Sequence, residues 1–206
     1  AEAAAAAAAA PAPSSSKRSP GQKASSARSA EPQAGAADVE RYRWAMATLF
    51  KTMHMREART QLVATTTQLA RIDPVLAQVA PLLARMNAYD LTSIDGVDYD
   101  ARLAAYREAD AALYGRLSYA QAALLAQQSL HEVASDDLAM RAAATHSINH
   151  GFLAAAAKEA ADASEAEVSA EAEAAPAGGK AKGLRSLVRT LLLPQVQRAL
   201  HHPEGH

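Results

Sequence analysis

Between Asp38 and Leu69 ("DVERYRWAMATLFKTMHMREARTQLVATTTQL") the large apolar side chains Tyr42, Met46, Leu49, Phe50, Met53 and Met55 mostly fall three or four residues apart. Such spacing lines one face of an α-helix and neither face of a strand, whose side chains alternate with period two. The pattern returns through most of the chain, and strand alternation is absent from it. An all-α protein is therefore predicted. Half of the residues are hydrophobic, yet much of that half is alanine, and only 4% of residues are aromatic. The larger apolar residues cluster from Trp44 to Leu153 and again from Leu184 to Leu200, which implies one helical body of ordinary domain size with appendages.

Capping residues punctuate the pattern. Asp38 is placed to cap the first helix, and Asp73 the next, with Pro74 at the first helical position, where its missing amide hydrogen costs nothing. Pro81 lies inside that second pattern and predicts a kink or a split into two short helices. Asp90, Ser93, Asp95 and Gly96 form a turn, after which Asp98 or Asp100 caps a helix carrying Leu103, Tyr106, Ala109 and Leu113. Gly115 and Ser118 mark a break before a helix from Tyr119 to Val133 that carries Ala123, Leu124, Leu125 and Leu130 inward. Ser135 is placed as the next cap, for a helix ending near Gly151 or running through Ala157.

Four regions result. Residues 1–37 join polyalanine to a Pro- and Ser-rich stretch without large aliphatic side chains, and read as a disordered, locally basic tail. Residues 38–161 form the helical domain. Residues 162–182, acidic and alanine-rich before a Pro and Gly-Gly, read as a flexible linker, and residues 183–206 as an amphipathic helix or helix pair that Pro194 breaks or restarts. Helices of this length joined by short turns fit a bundle or a stack of antiparallel pairs. Internal prolines and alanine-filled interiors favour a HEAT-like α-solenoid. The chain opens on alanine, so it is expected to be part of a longer one.

The chemistry on offer is sparse. Without cysteine, disulfides, thiolate metal sites and cysteine nucleophiles are excluded. His146 and His150 stand one helical turn apart but lack the third ligand and nearby glutamate of a catalytic zinc site. The carboxylates of Asp90, Asp95, Asp98 and Asp100 miss calcium-loop spacing and read as caps and turns. No phosphate loop or nucleophile elbow is present, so neither an enzyme nor a cofactor, metal or small-molecule site is expected. The net charge of −1 gives no general attraction to nucleic acid or anionic membrane, and no apolar run approaches the roughly 20 residues of a membrane span. Lys180, Lys182, Arg185 and Arg189 form a local basic group able to touch phosphates, though no aromatic residue is interleaved with them.

Three motifs carry a resemblance. Asn87, Ala88, Tyr89 and Asp90, then Asp98, Tyr99, Asp100, Arg102 and Leu103, and then Asp137, Leu138, Met140 and Arg141 stand in the order of patterns in the down-regulated-in-metastasis family. These are giant HEAT-repeat, U-three snoRNA-associated components of the small-subunit processome, and the resemblance is to their C-terminal part. Tyr89 and Tyr99 replace a tryptophan and a phenylalanine, and Ala142 and Ala143 depart from the polar residues that follow the third motif. The resemblance implies a nucleolar scaffold for small-ribosomal-subunit biogenesis, with pre-ribosomal RNA and proteins as partners. The alternative is a stand-alone helical adaptor sent to an organelle by its N-terminal segment. The motif residues, Asp95 included, are expected to fix the turn between helix pairs.

Overall fold

Caps divide the chain into its helices, and the computed structural model describes them over residues 35–90, 92, 96–170 and 183–201. The expected tail, apart from its last residues, and the linker from 171 onward lie outside the described residues. The elements are α1 (Ala36–Thr52), α2 (Arg56–Leu69), α3 (Pro74–Met86), α4 (Tyr99–Glu108), α5 (Ala111–Tyr114), α6 (Tyr119–Val133) and α7 (Leu138–His146). A π-helical turn, Ser147–Leu153, then leads without interruption into α8 (Ala154–Ala170). After the gap come α9 (Leu184–Leu187), a second π turn (Val188–Leu192) and α10 (Leu193–His201). Among the described residues the only extended pairing is an isolated antiparallel bridge between Tyr89 and Val97. The predicted all-α class holds.

Several caps fall where the sequence puts them. Asp73 accepts from the Val75 amide at 2.9 Å with Pro74 in the first turn, and Asp98 accepts from the Ala101 amide at 3.0 Å. Ser118 and Gln121 close a reciprocal capping box that opens α6. Pro81 stays on the exposed face of one continuous α3.

Other boundaries differ. Helix α1 starts on Gly35, and Asp38 lies within its first turn, paired to Arg41. The stretch to Leu69 is two helices, because the chain turns at Met53 to Met55, leaving Met55 71% exposed rather than on the apolar face. Asp110 caps a separate α5, since Ala109 leaves the helical conformation. The cap of α7 is Asp137, with Ser135 instead accepting from the Asp137 amide. Gly151 ends nothing. A Cβ there would lie 2.4 Å from the Ala109 carbonyl oxygen, so glycine lets the π turn pass the end of α4, and the helix runs on to Ala170. The C-terminal segment likewise continues through Pro194, which has no amide hydrogen for an i→i−4 bond and follows directly on a π turn.

Helices pack side by side in a solenoid-like arrangement, with α2 on α3, α3 on α4 and α6 on α7. Other pairings skip neighbour order: α4 packs on α7, and α1 lies along α6, which also touches α3 and α9. Accordingly α6 is buried almost all round, from Gln121 to Ser129. Phe50, Leu76, Leu83, Leu124, Leu125, Phe152 and Leu187 are fully buried, each stabilising by roughly 1.5–3 kcal/mol. Ala47, Ala105, Ala122, Ala126 and Ala144 are buried between them, where a methyl group permits close helix approach. Among the described residues no helix is long and apolar enough to cross a membrane.

Candidate functional site

The densest polar chemistry lies inside, where the ends of α1 and α3 meet the second half of α6. Arg59, on the buried face of α2, is 3% exposed. Its Nε donates to Asn87 Oδ1 at 2.9 Å, one Nη donates to the carbonyls of Phe50 (2.9 Å) and Met53 (2.8 Å), and the other donates to Asn87 Oδ1 (2.7 Å) and to Gln128 Oε1. All five guanidinium hydrogens are thus used. Two of them cap the C-terminal end of α1, whose last carbonyls have no intrahelical partner and carry the negative end of the helix dipole.

From Arg59 the network spreads. Asn87, the last cap of α3, donates to Leu83 O at 2.7 Å and to Gln128 Oε1 at 3.2 Å, and Gln128 donates onward to the Tyr106 hydroxyl at 3.1 Å. Burial lowers the Arg59 guanidinium from arginine's ordinary value and pushes the Tyr106 hydroxyl up. Arg102 lies beside this set. Its Nε donates to Ala88 O at 2.8 Å, one Nη stands 3.5 Å from the Glu132 carboxylate, and its other Nη has no partner among the described residues. Burial pushes the Glu132 carboxyl up against the pull of Arg102 and Arg59.

Tyr89 carries the guanidinium carbons of Arg56 and Arg102 at 4.5 and 4.7 Å from its ring centroid, within cation–π range. The loop above is closed by the Asp90 amide donating to Gly96 O and the Asp98 amide donating to Ala88 O. Tyr99 donates its hydroxyl to Asp137, the cap of α7, and that bond holds the Asp137 carboxyl below its usual range.

The structure therefore brings together Asn87, Tyr89, Asp98, Tyr99, Arg102 and Asp137 at one end of α6. Leu103 is half-buried against the core and Met140 is buried, while Arg141 is exposed and donates to Ser135 O at 3.3 Å. Asp90 accepts from the Thr92 amide and hydroxyl in a local turn. Asp95, Lys180 and Lys182 lie outside the described residues. Arg185 and Arg189 are exposed on the C-terminal segment. The sequence reading missed Arg59, Gln128 and Glu132, whose polarity marks them as surface residues, and took Tyr106 for a purely apolar one.

The rings of His146 and His150, both exposed, lie with centroids 4.5 Å apart and planes tilted by 33°, and among the described residues no group of three or more His, Asp or Glu side chains is placed to hold a metal ion. With all but one Arg102 Nη of its guanidinium nitrogens bonded or ion-paired inside the protein, the polar cluster under the Asn87 loop ties α1, α2, α3, α4 and α6 together. Its class is that of an all-α protein of side-by-side helices tied together by a buried polar cluster.

Residues 25–204 match the family model of the U3 small nucleolar RNA-associated protein 20 N-terminal region. The chain belongs to that family. The matching model describes the N-terminal region, and it gives no support to the C-terminal placement drawn from the motifs. Among curated proteins and among solved structures, none matches the chain.

Proposed function

We propose that this protein is a non-enzymatic scaffold segment of the small-subunit processome, working in the nucleolus on small-ribosomal-subunit biogenesis. The observation that carries the reading is the family match across residues 25–204, whose description names association with a small nucleolar RNA. The all-α, side-by-side packing supports it, because stacked helices offer extended faces on which several proteins and RNA segments bind at once. In this reading HEAT-like curvature is set by the cluster under the Asn87–Asp98 loop. Arg185 and Arg189, with Lys180 and Lys182, supply phosphate contacts, and pre-ribosomal RNA and proteins are the partners.

The test is purification of the tagged full chain from cells, followed by sequencing of its RNA and imaging of its location. Nucleolar signal with enrichment of U3 small nucleolar RNA and small-subunit precursors is the expected result. Accumulation in an organelle without pre-ribosomal RNA would instead establish the stand-alone adaptor.

A further inference from the structure

The basic segment from Lys180 to Arg189 lacks interleaved aromatics in sequence, but the fold supplies them from elsewhere. Trp44 of α1 and Tyr119 of α6 lie with ring centroids 6.4 Å apart and planes within 19° of parallel, and both line a groove of about 460 Å³. Ser186 and Thr190, one turn apart on the C-terminal segment, also line it. Arg185 and Arg189 do not line the groove themselves, but each directly precedes one of these residues in the chain, and both are exposed. Arg41 is a lining residue, 80% exposed and paired only at the surface with Asp38 at 2.8 Å.

We infer that this groove is a stacking site for an unpaired base of single-stranded RNA, with Arg41, Arg185 and Arg189 on the flanking phosphates. The inference rests on the RNA-contact part of the proposed function. Parallel aromatic faces accept any base, since every base has a π face, and cations beside them match a backbone charged at each step. The pair between Arg41 and Asp38 is of the exposed kind, worth at most about 1 kcal/mol, and yields to a phosphate. Arg43 does not move. Asp73 holds it at 2.9 and 3.0 Å and Glu40 at 2.8 Å, so its charge is spent on these two carboxylates and only Arg41 of the lining residues is left for a phosphate. Ser186 and Thr190 bring hydroxyl groups to the lining; Thr190 donates to Ser186 O at 2.7 Å and keeps its acceptor positions for a base edge. A helical peptide fits less well, because the apolar surface is limited to the two rings and Ala120 and Ala123, between arginines.

Trp44 is the only tryptophan in the chain, so its emission reports the groove directly. The whole protein is titrated with a short single-stranded oligoadenylate, with the matching duplex and with an amphipathic helical peptide, reading tryptophan emission and, separately, anisotropy of the labelled ligand. The expected result is saturable quenching by the single strand, weakened steeply by salt, with Tyr119→Leu lowering affinity about tenfold and Tyr119→Phe retaining it. RNA binding seen by anisotropy with Trp44 emission unchanged and Tyr119→Leu without effect overturns the stacking site but leaves the RNA contact standing. No RNA binding at low salt overturns the site together with that contact. Quenching by the peptide and not by RNA assigns the groove to a protein and overturns the inference.

Discussion

In the second half of α6, Gln128, His131 and Glu132 sit among guanidinium and carbonyl groups, whereas in its first turn Tyr119 borders an open groove with Trp44. The two ends lie about 20 Å apart on one rod at 1.5 Å per residue. At the closed end polar groups bond to one another across helices, with one Arg102 Nη left over; at the open end the same rod brings Tyr119 beside Trp44 and Arg41 of α1. Polar side chains thus hold the fold together at one end, and the surface at the other is where the proposed RNA site lies.

That contrast is sharpest at Arg59. Replacing it with Met strips donors from Asn87, Gln128 and the last carbonyls of α1, and should lower the free energy of unfolding by about 3 kcal/mol or more, read from urea midpoints. A loss no larger than that of a surface substitution would erase the difference between the two ends. His131 comes next. Its Nδ1 lies 3.1 Å from Lys51 O, and burial, with Arg59 nearby, lowers its pKa to about 4 from 6.5. Between those values the unfolded chain takes up a proton that the folded chain refuses, so stability falls as pH drops from about 6.5 to about 4 and is level above that window. His131→Gln should flatten this acid slope, and an unchanged slope would remove the histidine from the closed end. Asp98→Ala removes one cap and should cost about 1 kcal/mol, visible as a lower melting temperature. The smallest effect belongs to the open end: Arg189→Glu should leave stability within about 0.5 kcal/mol in the same urea measurement, and a larger loss would mean that Arg189 also holds the fold.

Local signals were legible in the sequence. Asp73, Asp98 and Ser118 cap where side-chain chemistry dictates, and α6 has the expected span because a capping box opens it. The break between α1 and α2 was hidden, since no glycine or proline marks Met53 to Met55; the chain stops there because Arg59, further on, takes the free carbonyls. Asn87, Tyr89, Asp98, Tyr99, Arg102 and Asp137 lie near one another, yet what anchors them could not be read, because Arg59 and Gln128 are 69 positions apart and each looks like a surface residue on its own helix. Trp44 and Tyr119 come together only through the α1–α6 pairing, a long-range contact without any local signature.

The five donors of Arg59 reach groups from α1, α3 and α6, so none of these helix ends is complete until all have arrived. An isolated first half would bury a cation short of acceptors. This chain should consequently unfold in a single cooperative transition, with no stable half-molecule along the way, unlike a row of repeats that can fray from either terminus.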